Sequence, residues 1–479
     1  MPLAEDIAER SDHPTAVLPG EPARLIVIAG AGFSGTMAAI HLRRRLPRHY
    51  TICLVERTGR FARGLAYARS DAPYLLNVRA ANMSAFPDDP GHFERWIVDI
   101  GEQFPAEIHR TEAGIFATRR LYGRYLRGLL YQERKAAGGG VQLIVDDVTA
   151  LRPASSGWVL ACGSGREIAA AGVVLAMGNA SATRPCDDVV FHNPWTPGAV
   201  SGLRQDEPVL IIGTSLTMAD LALAIRERGF RGPITALSRR GLVPHRHALV
   251  DRPWPAPSFT SAERHSVLAL LRRVRAEIEQ ARSQGVDWRA VIDGLRPITA
   301  SLWQGFDAEQ RRRFLRHLRP YWDVHRHRMA PFAADDFAQL RELGALRIVR
   351  GYLREVRQLR GGAAVTVQQG ETGAIETSVF QRVIFATGLD TVRPDHGLVA
   401  QLLDDRIARP GPQGLGLDAT EALEVISARG EPAPLLWALG PILRGVFWEC
   451  LAVPDIRMQA QLLGEAVTAQ LASADAATP

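Results

Sequence analysis

The chain has 479 residues, of which 46% are hydrophobic and 23% are charged, and its formal net charge is +6. A chain of this length can bury two or three domain cores. Its arginines are dispersed among acidic residues and form no basic run that alternates with aromatic side chains, so the composition disfavours nucleic acid as a partner.

Targeting and redox signals favour a cytoplasmic location. The first residues are acidic, and no apolar run of the kind found in a secretory signal follows them. No stretch reaches the roughly 18 apolar residues of a membrane span. The cysteines at positions 53, 162, 186 and 450 form no C-x-x-C pair, which argues against an enzyme that reduces disulfides.

In chain order, the first folded motif follows a flexible lead-in that the prolines of residues 1–22 predict. Residues 25–29 read as a buried strand, and residues 30–35 follow as a glycine-rich turn that opens a helix. A second apolar run, 52–55, ends at Glu56. This order of strand, turn, helix, strand and acidic residue is typical of a dinucleotide-binding unit.

The glycines of this turn have distinct expected roles. Gly30 permits the bend, Gly32 lets the backbone approach a diphosphate, and Gly35 lets the helix pack closely on the strand. The N terminus of the helix supplies free N–H groups and a positive dipole. Because a carboxylate at the next strand end accepts hydrogen bonds from an adenosine ribose, Glu56 suits FAD or NAD, and the first unit is assigned to FAD.

The same layout returns later in the chain with the opposite charge at its end. A strand at 209–212 leads into a turn at Gly213, and the run 234–237 is followed by Arg239 and Arg240. Arginine at this place suits the 2′-phosphate of NADPH, so the second unit is expected to bind NAD(P)H. Ser215 replaces the middle glycine and narrows the approach to the phosphates.

Two further strands end in glycine and suggest how the domains are connected. They are predicted at 173–176, before Gly178, and at 383–385, before Gly388. Strands of this kind mark crossings between domains in two-dinucleotide flavoproteins, and here they enclose the second unit. Residues 258–345 lie inside that unit and show helical spacing with several tryptophans, which reads as core packing or as the wall of a pocket for a flat substrate.

The expected fold class is therefore α/β, with two Rossmann-like dinucleotide-binding domains and a helical subdomain. The FAD domain is placed at 23–200 and 352–479, and the NAD(P)H domain at 201–351 is inserted in it. The helical insertion covers about 258–345. A strand at 435–439 and a helix at 456–467 are expected to complete the FAD domain.

The chain resembles the bacterial FAD/NAD(P)-binding family that includes the FAD-dependent urate hydroxylase type and the aspartate N-monooxygenase type. The segments that carry the resemblance are 30–35, 64–67, 75–78, 84–87, 119–123, 193–195, 238–241, 321–328, 440–441 and 445–449. The likeness extends over about 24–470. Ser215 departs from the family pattern, and Pro441 stands where broader two-dinucleotide flavoproteins carry an aspartate.

The resemblance implies an FAD-dependent monooxygenase that consumes NAD(P)H and molecular oxygen through a C4a-(hydro)peroxyflavin. Hydroxylation of urate to 5-hydroxyisourate is the favoured reaction. The alternatives are N-oxygenation of an amine or amino acid such as aspartate, an NAD(P)H-dependent flavoprotein reductase, and a nucleotide-binding module without activity. A flat anion such as urate would suit one or two cations beside aromatic walls.

The candidate site residues fall into three sets. For FAD they are Gly30, Gly32, Phe33, Ser34, Gly35, Glu56, Arg57, Asn77, Gly178, Gly388 and Gly440. For NAD(P)H they are Gly213, Ser215, Leu216, Thr217, Arg239 and Arg240. The catalytic candidates are Arg246, His325, His327 and Trp448, each of which also has a plain structural reading. No metal is expected, because no cysteine or carboxylate completes a ligand set around the H-x-H pairs.

Overall fold

The structure, a computed structural model, describes residues 22–68, 74–136, 140–178, 188–388 and 397–477. The predicted lead-in at 1–22 lies outside these residues except for Pro22. Cys186 also lies outside them.

The strands of the described residues form two large sheets and two small ones. They are β1 (Leu25–Ala29), β2 (Thr51–Val55), β3 (Ile108–Thr111), β4 (Gly114–Ala117), β5 (Val141–Ile144), β6 (Val148–Pro153), β7 (Trp158–Cys162), β8 (Glu167–Ala170), β9 (Gly172–Leu175), β10 (Val190–Phe191), β11 (Val209–Ile212), β12 (Ile234–Ser238), β13 (Leu346–Leu359), β14 (Gly362–Gln369), β15 (Ile375–Phe380), β16 (Arg382–Phe385), β17 (Glu424–Ile426) and β18 (Pro432–Ala438).

The α-helices include long ones that cover the large sheets and shorter ones in the region of the predicted helical subdomain. They are α1 (Phe33–Arg45), α2 (Gly64–Tyr67), α3 (His92–Ile100), α4 (Arg119–Ala136), α5 (Leu216–Glu227), α6 (Ser261–Arg264), α7 (Val267–Ser283), α8 (Trp288–Gly294), α9 (Thr299–Gly305), α10 (Ala308–Arg313), α11 (Arg319–Arg326), α12 (Pro331–Glu342), α13 (Leu398–Asp404), α14 (Arg444–Phe447) and α15 (Val453–Ala477).

The first sheet has the order β17-β18-β9-β1-β2-β5. β1 pairs in parallel with both β2 and β9, and Val27 lies opposite Cys53 on one side and Val173 on the other. Every residue of β1 is apolar and buried, as expected for a parallel strand covered on both faces. The helix α1 covers one face and packs against α15, where Gly464 allows the close approach of Arg45.

The second sheet has the order β10-β16-β11-β12-β13-β14-β15. Its strands from β10 to β13 pair in parallel, and β14 and β15 continue it as antiparallel strands. The two sheets, each with its helices, confirm the predicted α/β class with two Rossmann-like units.

The bounds of the second unit differ from the predicted 201–351. Its sheet reaches from Val190 to Phe385, because β13 is 14 residues long and turns back through β14 and β15. The strand β16 then returns to pair with β11, so the residues just after 352 belong to this sheet and not to the first. The chain rejoins the first sheet only at β17 and β18.

The helices α6 to α12 lie between Ser261 and Glu342 and form a layer that contacts both units. One apolar cluster joins Trp303 and Phe314 of this layer to Leu415 and Trp448 of the C-terminal part. Among the described residues, no helix is long and apolar enough to cross a membrane.

Candidate active site

The first turn requires glycine at two positions because the backbone is crowded there. Gly30 has φ +98°, and a Cβ built on it would lie 2.5 Å from the carbonyl oxygen of Ala176 at the end of β9. A Cβ on Gly35 would lie 1.9 Å from the carbonyl oxygen of Gly30. Both distances are far below any real carbon contact, so these glycines bring β1, β9 and α1 together.

Gly32 is different, because the polypeptide itself does not require a glycine there. Its φ of −73° and ψ of −158° are open to any residue, and a Cβ would meet only the backbone of Gly64, whose Cα would be 3.4 Å away. No side chain caps the helix that begins at Phe33, so its first N–H groups have no side-chain acceptor. This open cradle at a helix N terminus fits the diphosphate of FAD.

Other predicted FAD residues lie around this cradle. Phe33 is buried and packs edge to face against Tyr67, with ring centroids 6.5 Å apart. Gly440 has φ +81°, and a Cβ on it would lie 2.5 Å from the hydroxyl of Ser34. Gly178 follows β9 with φ +66° and open space beside it. The C-terminal segment therefore returns to the first turn.

Glu56 lies at the end of β2, next to the same turn. Its Oε2 accepts a hydrogen bond of 3.3 Å from the N–H of Ala31, and its Oε1 accepts one of 2.7 Å from the hydroxyl of Thr58. These two bonds hold the carboxylate beside the glycine-rich turn, where a ribose would be bound. Arg57 is exposed.

The second turn repeats the backbone of the first. Gly213 has φ +115°, and a Cβ on it would lie 2.3 Å from the carbonyl oxygen of Ala386 at the end of β16. Ser215 occupies the place of Gly32 before α5, with φ −84° and ψ −173°, and its exposed side chain does not cap the helix. Leu216 and Thr217 begin α5 and are half-buried. The serine therefore changes the surface of the cradle but not its backbone.

Gly388 was predicted to belong to the FAD site, but the structure places it elsewhere. It follows β16, which pairs with β11 in the second sheet, and it has φ +90°. Its position beside Gly213 corresponds to that of Gly178 beside Gly30. The sequence pattern of a strand ending in glycine could not distinguish the two sheets, since both contain it.

The two strand-end arginines of the second unit have different surroundings. Arg239 is exposed, and its side chain forms no hydrogen bond or ion pair within the described part of the chain. Arg240 donates hydrogen bonds of 2.8 and 2.9 Å to the carbonyl oxygens of Arg316 and His317, and it lies over the ring of Tyr321. The guanidinium of Arg240 is thus held by the helical layer.

Asn77 lies at the junction of the two units. Its carbonyl oxygen is 3.1 Å from Nε2 of His247, and its Oδ1 is 3.5 Å from the N–H of Ala330. Burial lowers the pKa of His247 to about 4. Asn77 therefore joins the first unit to the loop after β12 and to the start of α12.

A buried ion pair that the sequence analysis missed crosses the same junction. Arg119, the first residue of α4, donates a hydrogen bond of 3.0 Å to Asp220 of α5. Burial raises the pKa of Asp220, although the nearby Arg119 guanidinium opposes this effect. An aspartate among the apolar residues 218–225 of α5 was the available signal, but its partner is 101 residues away.

Arg246 is fully engaged by acidic residues of two elements. Its guanidinium lies 2.9 Å from Glu112 of the first unit and 2.8 Å from Asp335 of α12. Hydrogen bonds to Asp335 and Glu112 raise its pKa above the usual value. This candidate for substrate binding thus forms an ion-paired bridge between the units.

The predicted pair of His325 and His327 does not face a common site. The ring of His325 packs against His245 and Trp288, with centroids 4.6 and 4.9 Å away. Burial lowers the pKa of His327, with a nearby opposing effect from the carboxylate of Glu449. His325 lies in the last turn of α11 and His327 follows the end of the helix, so their side chains point in different directions.

Trp448 lies in a strained turn between the helical layer and the first unit. Its φ is +59° and its ψ is −65°, and the N–H of Glu449 donates a 2.7 Å hydrogen bond to the carbonyl oxygen of Phe447. This is a γ-turn of the rare positive-φ type. The Trp448 ring is buried against Trp303, and this packing holds the turn.

Glu449, next to it, is a buried carboxylate with cationic neighbours. Its Oε1 accepts a 2.8 Å hydrogen bond from Nε1 of Trp322, and Arg326 lies 3.9 Å from Oε2. Burial opposes ionisation, but Arg326, His327 and the Trp322 hydrogen bond outweigh it, so the pKa is below its usual value. Glu449 is therefore an anion at neutral pH.

Within the described ranges, no group of three or more histidine, cysteine or carboxylate side chains could hold a metal ion. Cys53, Cys162 and Cys450 are each buried and unpaired, and burial raises the pKa of each thiol.

Comparison with known proteins agrees with this geometry. Residues 27–180 match a family model described as FAD-NAD(P)-binding, which covers the first turn, Glu56 and Gly178. This match identifies the first unit as an FAD/NAD(P)-binding domain. No curated protein matches the chain significantly.

Several solved structures share the fold over nearly the whole chain. The ornithine hydroxylase of Pseudomonas aeruginosa has 13% identity and a TM-score of 0.62, and the match covers 94% of this chain and 99% of that one. The L-lysine 6-monooxygenase of Pseudomonas syringae has 14% identity, a TM-score of 0.62 and the same coverage. The cadaverine monooxygenase of Erwinia amylovora, bound to FAD, has 11% identity and a TM-score of 0.62, covering 93% and 94%.

At these identities the likeness establishes the fold. The class is that of two-dinucleotide-domain flavoproteins, with a first unit that matches an FAD-NAD(P)-binding model and a second, inserted unit of the same topology.

Proposed function

We propose that the protein is an FAD-dependent, NAD(P)H-consuming monooxygenase that hydroxylates the nitrogen of a small amine or amino acid. The turn at 30–35 and Glu56 would hold FAD, and the turn at 213–217 with Arg239 would hold NAD(P)H. Bound FAD would supply hydride acceptance and oxygen activation. Similarity of fold to monooxygenases of ornithine, lysine and cadaverine supports this reaction class.

The choice of an amine over urate rests on whether two arginines near the catalytic candidates, Arg246 and Arg328, are free to bind an anion. An anionic purine needs a free cation in the site, yet Arg246 is bound by Glu112 and Asp335. Arg328 is 1% exposed and lies 3.0 Å from Asp293. Neither guanidinium is available to a second anion without breaking an existing ion pair, which counts against urate and, among the amines, favours a substrate without a carboxylate.

The chain's own residues would contribute position and protection from water. The contacts of Asn77 with His247 and Ala330, and of Arg119 with Asp220, fix the first unit against the second. The buried Trp448 turn closes the helical layer over the C-terminal segment that returns to Ser34. Such a closed arrangement limits side reactions with water.

The test is reduction of the purified protein by NADPH without oxygen, followed by turnover with oxygen over a panel of ornithine, lysine, cadaverine, aspartate and urate. We expect flavin bleaching by NADPH, and a hydroxylamine product that gains one oxygen atom from labelled O₂. The matched control is Gly32→Val, which should fold but lack flavin, because the cradle and not the packing is altered.

Oxygen incorporation into urate alone would contradict the choice of an amine. Hydrogen peroxide as the sole product with every compound would contradict the monooxygenase and favour a reductase that uses an external acceptor. A Gly32→Val protein with a full complement of flavin would contradict the assignment of the cradle.

A further inference from the structure

A third arginine lies beside the end of β12, although the motif of the second turn does not include it. Arg350 belongs to β13, which pairs in parallel with β12, and the register places Arg350 opposite Ser238. Neighbouring strands are about 4.8 Å apart, and paired residues project to the same face of a sheet. Arg350 therefore lies next to the strand end that carries Arg239.

The contacts of Ser238 identify which face this is. Its hydroxyl lies 2.9 Å from the hydroxyl of Thr214 in the second turn, and it accepts a 3.0 Å hydrogen bond from the N–H of Gly241. Ser238 thus projects toward the turn that would cradle the phosphates. Since Arg350 has the same register, it projects to the same face.

Two glycines lie beside the stem of Arg350. A Cβ on Gly241 would lie 3.5 Å from the Cβ of Arg350, and one on Gly370 would lie 2.9 Å from its Cγ. The N–H of Gly370 also donates a 2.9 Å hydrogen bond to the carbonyl oxygen of Arg350. The backbone at Gly241 and Gly370 therefore lies beside the stem of Arg350 and leaves room for it.

The guanidinium itself is available. Arg350 and Arg239 are both exposed, and neither side chain has a hydrogen bond or ion pair in the described part of the chain. By contrast, Arg240 is bound to the carbonyl oxygens of Arg316 and His317. Near the end of β12, the guanidinium groups of Arg239 and Arg350 therefore have no partner among the described residues, whereas that of Arg240 is hydrogen-bonded.

We propose that Arg350 and Arg239 together bind the 2′-phosphate of NADPH, and that Arg240 is a positioning residue that joins the strand end to the helical layer. Two guanidinium groups can each form charge-assisted hydrogen bonds to one phosphate. This assignment rests on the proposed function, since it takes the second turn as the NAD(P)H site, and it makes the protein selective for NADPH over NADH.

The test measures equilibrium binding by calorimetry and needs no turnover. The ligands are NADP⁺ with NAD⁺, and adenosine 2′,5′-bisphosphate with AMP, titrated into the flavin-loaded protein. We expect Arg350→Ala and Arg239→Ala each to weaken NADP⁺ binding about ten-fold while NAD⁺ binding stays within about two-fold. Arg240→Ala should leave the ratio of the two affinities unchanged.

The matched control is Arg347→Ala. Arg347 is exposed on the same strand, and its substitution removes the same charge. It lies three residues from Arg350 and therefore on the opposite face of the sheet. If the ratio of NADP⁺ to NAD⁺ affinity is the same in Arg350→Ala and Arg347→Ala, the assignment of Arg350 is wrong, while the proposed function is unaffected. A wild-type protein that binds neither nucleotide would overturn the proposed function as well.

Discussion

The two glycine-rich turns share a backbone but differ in what surrounds it. Gly30 and Gly213 have φ values of +98° and +115°, and their N–H groups donate to the ends of the neighbouring strands at 2.9 and 2.8 Å. After each turn, however, the first unit has Gly32 and Gly35 where the second has Ser215 and Met218. The glycine shared by both turns allows the close approach of the neighbouring strand, Gly35 serves packing in the first unit, and the position of Gly32 or Ser215 is the one that a ligand would meet.

The largest expected effect tests whether Gly35 serves packing and not the ligand. Gly35→Ala would place a methyl group 1.9 Å from the carbonyl oxygen of Gly30, so we expect a loss of at least about 3 kcal/mol of stability or no soluble protein. Urea unfolding measures this. Gly128→Ala, in the interior of α4 with open space around it, should instead stabilise the protein slightly.

Gly32→Ala sharpens the same comparison, since its methyl group fits the polypeptide. Equal losses of stability in the Gly32 and Gly35 variants would contradict the division into packing and ligand roles.

The next effect concerns the junction that joins the two units. Burial lowers the pKa of His247 to about 4, below the value of about 6.5 in an unfolded chain. The unfolded state therefore binds more protons between these values, and stability falls as the pH falls. From pH 7 to pH 5 the expected contribution of His247 to this loss is about 2 kcal/mol, which His247→Gln should remove. Urea unfolding at both pH values measures it.

His41 of α1 is the control within the first unit. Burial and the neighbouring Arg45 and Arg44 lower its pKa to about 4 as well, so His41→Gln should remove a similar loss without touching the junction. If His247→Gln loses as much stability on acidification as the wild type, the junction histidine has been assigned the wrong role.

The smallest effect tests the opposite charges at the two strand ends. Glu56→Gln keeps a hydrogen-bond acceptor beside Ala31 but removes the charge, so we expect FAD binding to weaken about ten-fold. Fluorescence titration of the flavin-free protein measures it. Glu371→Gln, in the exposed turn between β14 and β15, removes the same charge and should leave the affinity unchanged.

Local patterns predicted the local structure well. β1 and β11 begin and end as expected, because each is a short apolar run that stops at a glycine-rich turn. The boundary near 352 was not predicted, because no local signal shows that the chain turns back after β13 to form β14. Strand pairing over long distances is not encoded in any single segment.

The surroundings of the catalytic candidates could not be predicted for a related reason. The sequence presents Arg246 as an unpaired cation, but its partners Glu112 and Asp335 are 134 and 89 residues away. His325 and His327 look like a pair in the sequence, yet α11 ends between them and their side chains have different neighbours. Which charges are neutralised depends on the tertiary fold, and the spacing of residues along the chain does not reveal these partners.

The insertion of the second unit also sets an order for folding during synthesis. β9 has its partner β1 at once, but its other edge pairs with β18, which the ribosome produces only after the whole second unit. The unpaired N–H and C=O groups of that edge stay open while about 250 residues are added, which takes roughly 10 to 50 s at usual elongation rates. The second unit, whose strands are contiguous in the chain, can mature first, and the earliest sheet to be started is the last to be closed.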